Sequence, residues 1–170
     1  METNSKAKSM LCFSLGVIVL VLLDQLTKMA AQTMLRTGPR PLIPNVFELQ
    51  YLENRGSAFG MLQGQRIFFI LMAALMLLLI PYVHYKLPLT KRFWYLRVIT
   101  VLFLAGAIGN AVDRIIHGYV IDFFYFSLID FPIFNVADIY VTVSTFLFVV
   151  LILFYYKEED FDQIQILSKK

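Results

Sequence analysis

The chain has 170 residues, 59% hydrophobic and 16% charged, against about 45–50% apolar and about 25% charged in a soluble domain. With a mean hydropathy of +0.70 and its apolar residues gathered in long runs, a soluble globular domain is excluded and a polytopic membrane protein is implied. The net charge of +3 is small and scattered, which argues against a nucleic-acid partner.

Residues 1–9 are polar, and an apolar run follows from Met10. No small-residue cleavage site closes that run, so it is expected to be a membrane helix over about 10–34 and not a signal peptide. Cys12 precedes most of the run and is expected in the core. Asp24 and Lys28 stand at i, i+4 and share a face; spacing alone leaves open a solvated interfacial pair or a functional one.

Residues 37–65 form the longest polar stretch, with Pro39, Pro41, Pro44, Gly56, Gly60 and Gly64. Val46–Leu52 alternates like a strand. Asn54-Arg55-Gly56 reads as a turn, and Ser57–Leu62 as a possible second strand. The expectation is a small sheet over about 42–62 on the membrane surface, with the Asn54 loop covering the site. A second span follows over about 67–85, with His84 at the interface. Phe93, Trp94 and Tyr95 suit an aromatic belt ahead of a third helix over about 96–114. In that helix Ala105, Gly106, Ala107 and Gly109 let a neighbour come close. Asn110, Asp113 and Arg114 share one face beside them and are expected to point into the bundle. The fourth helix spans about 135–156, with Asn135 as its N-cap and Asp138 in its first turn. Residues 157–170 are charged and expected to be loosely ordered.

Ile121–Tyr140 carries Asp122, Asp130 and Asp138 in a setting of Phe, Ile and Tyr. Asp130-Phe131-Pro132 favours a turn, which would fold the two arms together and set Asp122 against Asp138. Two carboxylates in an apolar setting tend to share one proton, as in an aspartic protease. Asp138, near a helix N-terminus, should ionise more readily, leaving the shared proton on Asp122. The phenyl rings of Phe123, Phe124 and Phe126 are expected to receive lipid chains, and Arg114 and Asn110 to hold substrate backbone, unless Arg114 pairs with Asp113. Asp130 has a turn former's role. With one cysteine and two histidines, His84 and His117, no disulfide framework and no zinc set can be assembled, so no metal or cofactor is assigned.

Four spans put both termini on one side. Placing them inside gives nine basic residues there (Lys6, Lys8, Lys86, Lys91, Arg92, Arg97, Lys157, Lys169, Lys170) against six outside, which favours cytoplasmic termini. Asp24, Asn54, Asn110, Asp113, Arg114, Asp122, Asn135 and Asp138 then all fall near the outer face. The reading is an all-α membrane protein: four transmembrane helices in a single domain over 1–170, with a small extracytoplasmic β-sheet between helices 1 and 2. Paired intramembrane carboxylates also suit a small proton-coupled transporter or channel subunit, although no repeated halves appear.

In chain order, DQLTK at Asp24–Lys28, NRGSAFG at Asn54–Gly60, GNAVDR at Gly109–Arg114, VIDFF at Val120–Phe124 and FNVAD at Phe134–Asp138 resemble the lipoprotein signal peptidases, also called signal peptidase II. Ser57 stands where that family commonly has a second small residue. The resemblance implies a bacterial aspartic endopeptidase of the inner membrane that meets its substrate in membrane lipid; the chain is expected to be a monomer. It would cleave prolipoproteins just before a diacylglyceryl-modified cysteine. It would place catalysis on Asp122 and Asp138, and substrate-binding or supporting roles on Asp24, Lys28, Asn54, Asn110, Asp113, Arg114 and Asn135.

Overall fold

The computed structural model describes residues 2–56 and 63–164. Helix α1 (Glu2–Met34) leads into strands β1 (Arg40–Ile43) and β2 (Phe47–Asn54), then α2 (Arg66–Lys86) and, after a 3-10 turn at Lys91–Phe93, α3 (Trp94–Ile116). Strand β3 (Val120–Tyr125), α4 (Val136–Phe154) and a short α5 (Glu158–Asp162) complete the order. Helices α1 to α4 are each long and apolar enough to cross a membrane. Helix α1 starts earlier than the apolar pattern suggests, because Glu2–Ser9 contains no glycine or proline to stop helix growth.

Helix α3 is the hub. It packs on α1, α2 and α4, whereas α2 and α4 share no packed interface. In its most apolar window 44% of residues are buried, against 6% in α2. Large apolar side chains on α2 and α4, such as Leu78 and Phe154, instead face outward, as lipid-facing residues do. Close approach to α3 depends on two missing side chains. A Cβ on Gly106 would lie 2.6 Å from the Ala137 carbonyl oxygen, and one on Gly109 would lie 2.6 Å from Asp24 Oδ2.

The sheet is antiparallel in the order β1-β2-β3. Its third strand comes from the central acidic stretch; Ser57–Leu62, expected as a possible second strand, lie outside the described residues. Thus the sheet is not confined to the α1–α2 connection. Val120–Phe124 offers an apolar run that can be buried on both faces, and Leu52 pairs with Asp122 and Asn54 with Val120 across the ladder. Ile121 and Phe123 pack with Ala31 and Leu35, tying the sheet to the end of α1.

One further expectation is refined and two change. His84, expected at the interface at the end of the second span, is buried against its neighbours: its ring meets Phe13, and its Nδ1 lies 2.7 Å from Thr100 Oγ1. The Thr100 hydroxyl donates to the Arg97 carbonyl, so Nδ1–H is the donor to Thr100. Cys12 is exposed on the outside of α1. Residues 157–164 are not a loose tail, since Arg92 Nε and Nη2 donate to Asp160 at 3.1 and 2.8 Å and Tyr156 packs with Phe93 in an apolar cluster.

Candidate active site

The turn at Asp130 does fold the arms together. Phe124 N–H donates to the Phe134 carbonyl and Phe134 N–H to the Phe124 carbonyl, which brings β3 beside the start of α4. Asn135 caps that helix in both directions. Its Oδ1 accepts from Asp138 N–H at 3.0 Å, and Asp138 Oδ2 accepts from Asn135 N–H at 3.1 Å, a capping box.

The same Asn135 joins the two aspartates. Its Nδ2 donates to Asp122 Oδ1 at 2.6 Å and to Asn110 Oδ1 at 3.1 Å, and Asn110 Nδ2 donates to Asp138 Oδ1 at 2.7 Å. Asn54 Nδ2 takes the other oxygen of Asp122 at 2.9 Å. Asp122 and Asp138 line one cavity of about 750 Å³ between α2, α3, α4 and the 126–134 loop. Burial, and next the negative charge of Asp138, push the Asp122 carboxyl up to about 7, against the opposing pull of its two amide donors.

Below the cavity lies a buried ionic frame. Lys28 Nζ meets Asp24 Oδ2 at 2.9 Å and Asp113 Oδ2 at 3.1 Å, and it donates to Asn110 Oδ1 at 2.9 Å. Asp24 and Lys28 are 0% and 1% exposed, so the solvated interfacial pair is ruled out. Each carboxylate also holds backbone: Asp24 Oδ1 accepts from Ala137 N–H at 2.9 Å, and Asp113 Oδ2 from Ile121 N–H at 3.0 Å. Each amide is the one next to an aspartate of the pair. Gln25 belongs to this frame and was not foreseen; its Nε2 donates to Asp113 Oδ1 at 2.9 Å and to the Gly109 carbonyl at 3.2 Å. Its place between Asp24 and Lys28 in DQLTK was the available signal.

Arg114 does not pair with Asp113, which Lys28 occupies. Its guanidinium lines the cavity, lies 4.3 Å from the Phe69 ring centre, and donates to the Gly56 carbonyl at 2.9 Å. The apolar wall differs from expectation. Phe123 is buried in the α1–sheet core and Phe124 stacks on Phe47; Phe126 is joined at the cavity by Phe69, Met72, Met76 and Phe103. Nothing in the apolar runs of α2 and α3 marks those positions, because one face of a lipid-embedded helix is as hydrophobic as the other.

Asp130 stands apart from this site. It adopts φ 49°, and its carboxylate accepts from Tyr125 Oη–H at 2.6 Å instead of from nearby backbone amides. Asp130→Asn is expected to keep most activity, since the amide oxygen can still accept from Tyr125. A cleavage assay that finds it as inactive as Asp122→Asn would show the acidic pair to be misassigned.

The family model described as "Signal peptidase (SPase) II" matches residues 16–154. The chain belongs to the signal peptidase II family. It is 40% identical over 152 residues to proteins named lipoprotein signal peptidase from Streptococcus pyogenes serotypes M6 and M5, an alignment covering 88% of this chain and 95% of each relative. Two solved structures, both titled as a bacterial membrane enzyme obtained by the in meso method, share its fold. One, at 2.3 Å resolution, has TM-score 0.74 and 28% identity, covering 94% of this chain and 93% of that one. The other, at 1.9 Å, has TM-score 0.72 and 29% identity, covering 85% and 94%. As a signal peptidase II with several helices of membrane-spanning length, the chain is a multi-pass membrane protein of bacterial type.

Proposed function

We propose that this signal peptidase II removes signal peptides from bacterial prolipoproteins by aspartic catalysis, with Asp122 and Asp138 as the reacting pair. The observation that carries the reading is the placement of these two carboxylates, bridged by Asn135 and Asn110, on one mostly apolar cavity. Asp138, ionised, takes a proton from water as the water oxygen bonds to the scissile carbonyl carbon. Asp122 gives its proton to the carbonyl oxygen. When the tetrahedral intermediate collapses, Asp138 passes its proton to the leaving amine and Asp122 recovers its own from the hydroxyl group. The shared proton is placed on Asp122, whose carboxyl burial and the negative charge of Asp138 push up to about 7.

The scissile bond is the one before a diacylglyceryl-modified cysteine. The gap between α2 and α4 lets the lipid chains enter sideways from the bilayer, along Phe69, Met72 and Met76. Arg114 and Asn110 present donors to the substrate backbone. Four transmembrane helices with cytoplasmic termini put the sheet and the aspartates near the outer face, in one domain that works as a monomer. A proton-coupled transporter is not favoured: both carboxylates lie at one end of the bundle, with no second acidic station along the cavity wall. The deciding experiment is incubation of the purified protein with a diacylglyceryl-modified precursor, read by gel shift. Release of the signal peptide is expected, and the unlipidated precursor should remain intact. An uncut lipidated precursor would reject the reading.

Asn54 donates to Asp122 and accepts from Gly56 N–H at 2.9 Å, so it ties the sheet's end to the pair. Asn54→Ala is expected to slow cleavage about two- to tenfold, the value of one hydrogen bond to a neutral carboxyl, with a much smaller effect on thermal stability. Proportional losses in both would make it a turn former alone.

A further inference from the structure

A second hollow, of about 530 Å³, lies where α3 begins and α4 ends, lined by Lys91, Arg92, Trp94, Tyr95 and Tyr155. It is at the end of α3 opposite Asn110 and Asp113, so it faces the other membrane surface from the aspartates. Its wall holds two cations, an indole and two phenols, and no carboxylate. The acidic residues of α5 stay outside it. Asp160 takes Nε and Nη2 of Arg92, and the Tyr155 carbonyl also accepts from Nη2. The guanidinium is thereby fixed 4.0 Å from the Tyr155 ring centre, with Nη1 left as a donor. Lys91 is exposed and makes no ion pair among the described residues. Trp94 and Tyr95 are 59% and 46% exposed, at the level where aromatic rings meet lipid headgroups.

We propose that this hollow binds the phosphate headgroup of an anionic phospholipid. Lys91 Nζ and Arg92 Nη1 supply the charge and the donors, and a basic hollow between helix ends is the form such sites take. The rings of Trp94 and Tyr95 lie against the glycerol and the first acyl carbons. Free phosphate would satisfy the cations but leave that aromatic wall uncovered, which selects the lipid as the occupant.

Trp94 is the chain's one tryptophan, so its fluorescence reports this hollow alone. The protein is reconstituted in phosphatidylcholine vesicles containing increasing phosphatidylglycerol, with bromine on the acyl chains of one lipid or the other. Brominated phosphatidylglycerol is expected to quench Trp94 at a lower mole fraction than brominated phosphatidylcholine. Lys91→Gln should weaken that preference about fivefold, the value of one basic side chain at an anionic surface. Lys91→Arg should retain it, and inorganic phosphate should not relieve the quenching. Lys8→Gln, the same charge change on α1, should leave it unchanged. Equal quenching by the two lipids in the unmodified protein would overturn the proposal. So would an equal loss in Lys8→Gln, which would mean diffuse surface charge, or relief by phosphate, which would mean a site for a free anion.

Discussion

Asp122→Asn and Asp138→Asn are each expected to abolish cleavage while the protein still inserts and purifies. An amide in either place can neither take the proton from water nor return one to the carbonyl oxygen, and the two steps have no substitute donor within the bridge of Asn110 and Asn135. Near-normal turnover in either variant would sink the assignment. The pH dependence follows from the same group. With its carboxyl raised to about 7, Asp122 is neutral below that pH and ionised above it. Because the neutral form is the acid, kcat/KM is expected to fall as pH rises through about 7. Stability has the same sign: a carboxyl whose folded value lies above its unfolded one favours the fold most below the unfolded value, and that contribution is lost as pH rises through the folded value. Asp122→Asn removes this loss. Its melting temperature relative to the unmodified protein should therefore increase on going from about pH 5 to about pH 8. A constant difference across that range would show that Asp122 does not titrate where its burial implies.

The four apolar helices were legible from composition and run length, because lipid demands a continuous apolar segment and leaves few alternatives. The candidate site was legible for a different reason. Each polar residue in an apolar chain carries a solvation cost that needs explaining, so Asp24, Lys28, Asn110, Asp113, Asp122, Asn135 and Asp138 stood out one by one. Their partners did not. Spacing put Asn110, Asp113 and Arg114 on one face of α3 but could not show that Lys28 takes Asp113 and leaves Arg114 to the Gly56 carbonyl. Strand β3 was missed because Val120–Phe124 was read as the arm of a turn; its partner β2 lies some seventy residues earlier, and local pattern carries no information on pairing at that distance. His84 was assigned to the interface by its position at a helix end, and Arg92 was read only as part of the basic residues between α2 and α3. Burial of His84 against Phe13, and docking of Arg92 on Asp160, depend on how the ends of separate helices come together.

Lys28→Met should be among the most destabilising substitutions in the chain. The methionine fills much of the same volume but leaves Asp24 and Asp113 as buried carboxylates without their cation, at a cost of about 3–5 kcal/mol. The loss should reach catalysis as well as stability. Asp24 holds Ala137 N–H, beside Asp138, and Asp113 holds Ile121 N–H, beside Asp122, so the ammonium fixes the spacing of the two elements that carry the acidic pair. Two outcomes separate this frame from simple packing. In the triple variant Lys28→Met, Asp24→Asn, Asp113→Asn, the charges are gone while the amide oxygens can still accept from Ala137 and Ile121. Its melting temperature is expected to recover most of the way to the unmodified value, since a neutral buried set no longer needs a counter-ion, and cleavage should return in part. If instead Lys28→Met alone melts and cleaves normally, the ionic frame does not position the pair. If the triple variant remains as unstable as Lys28→Met, the lysine acts through the packing of its stem and not through its charge.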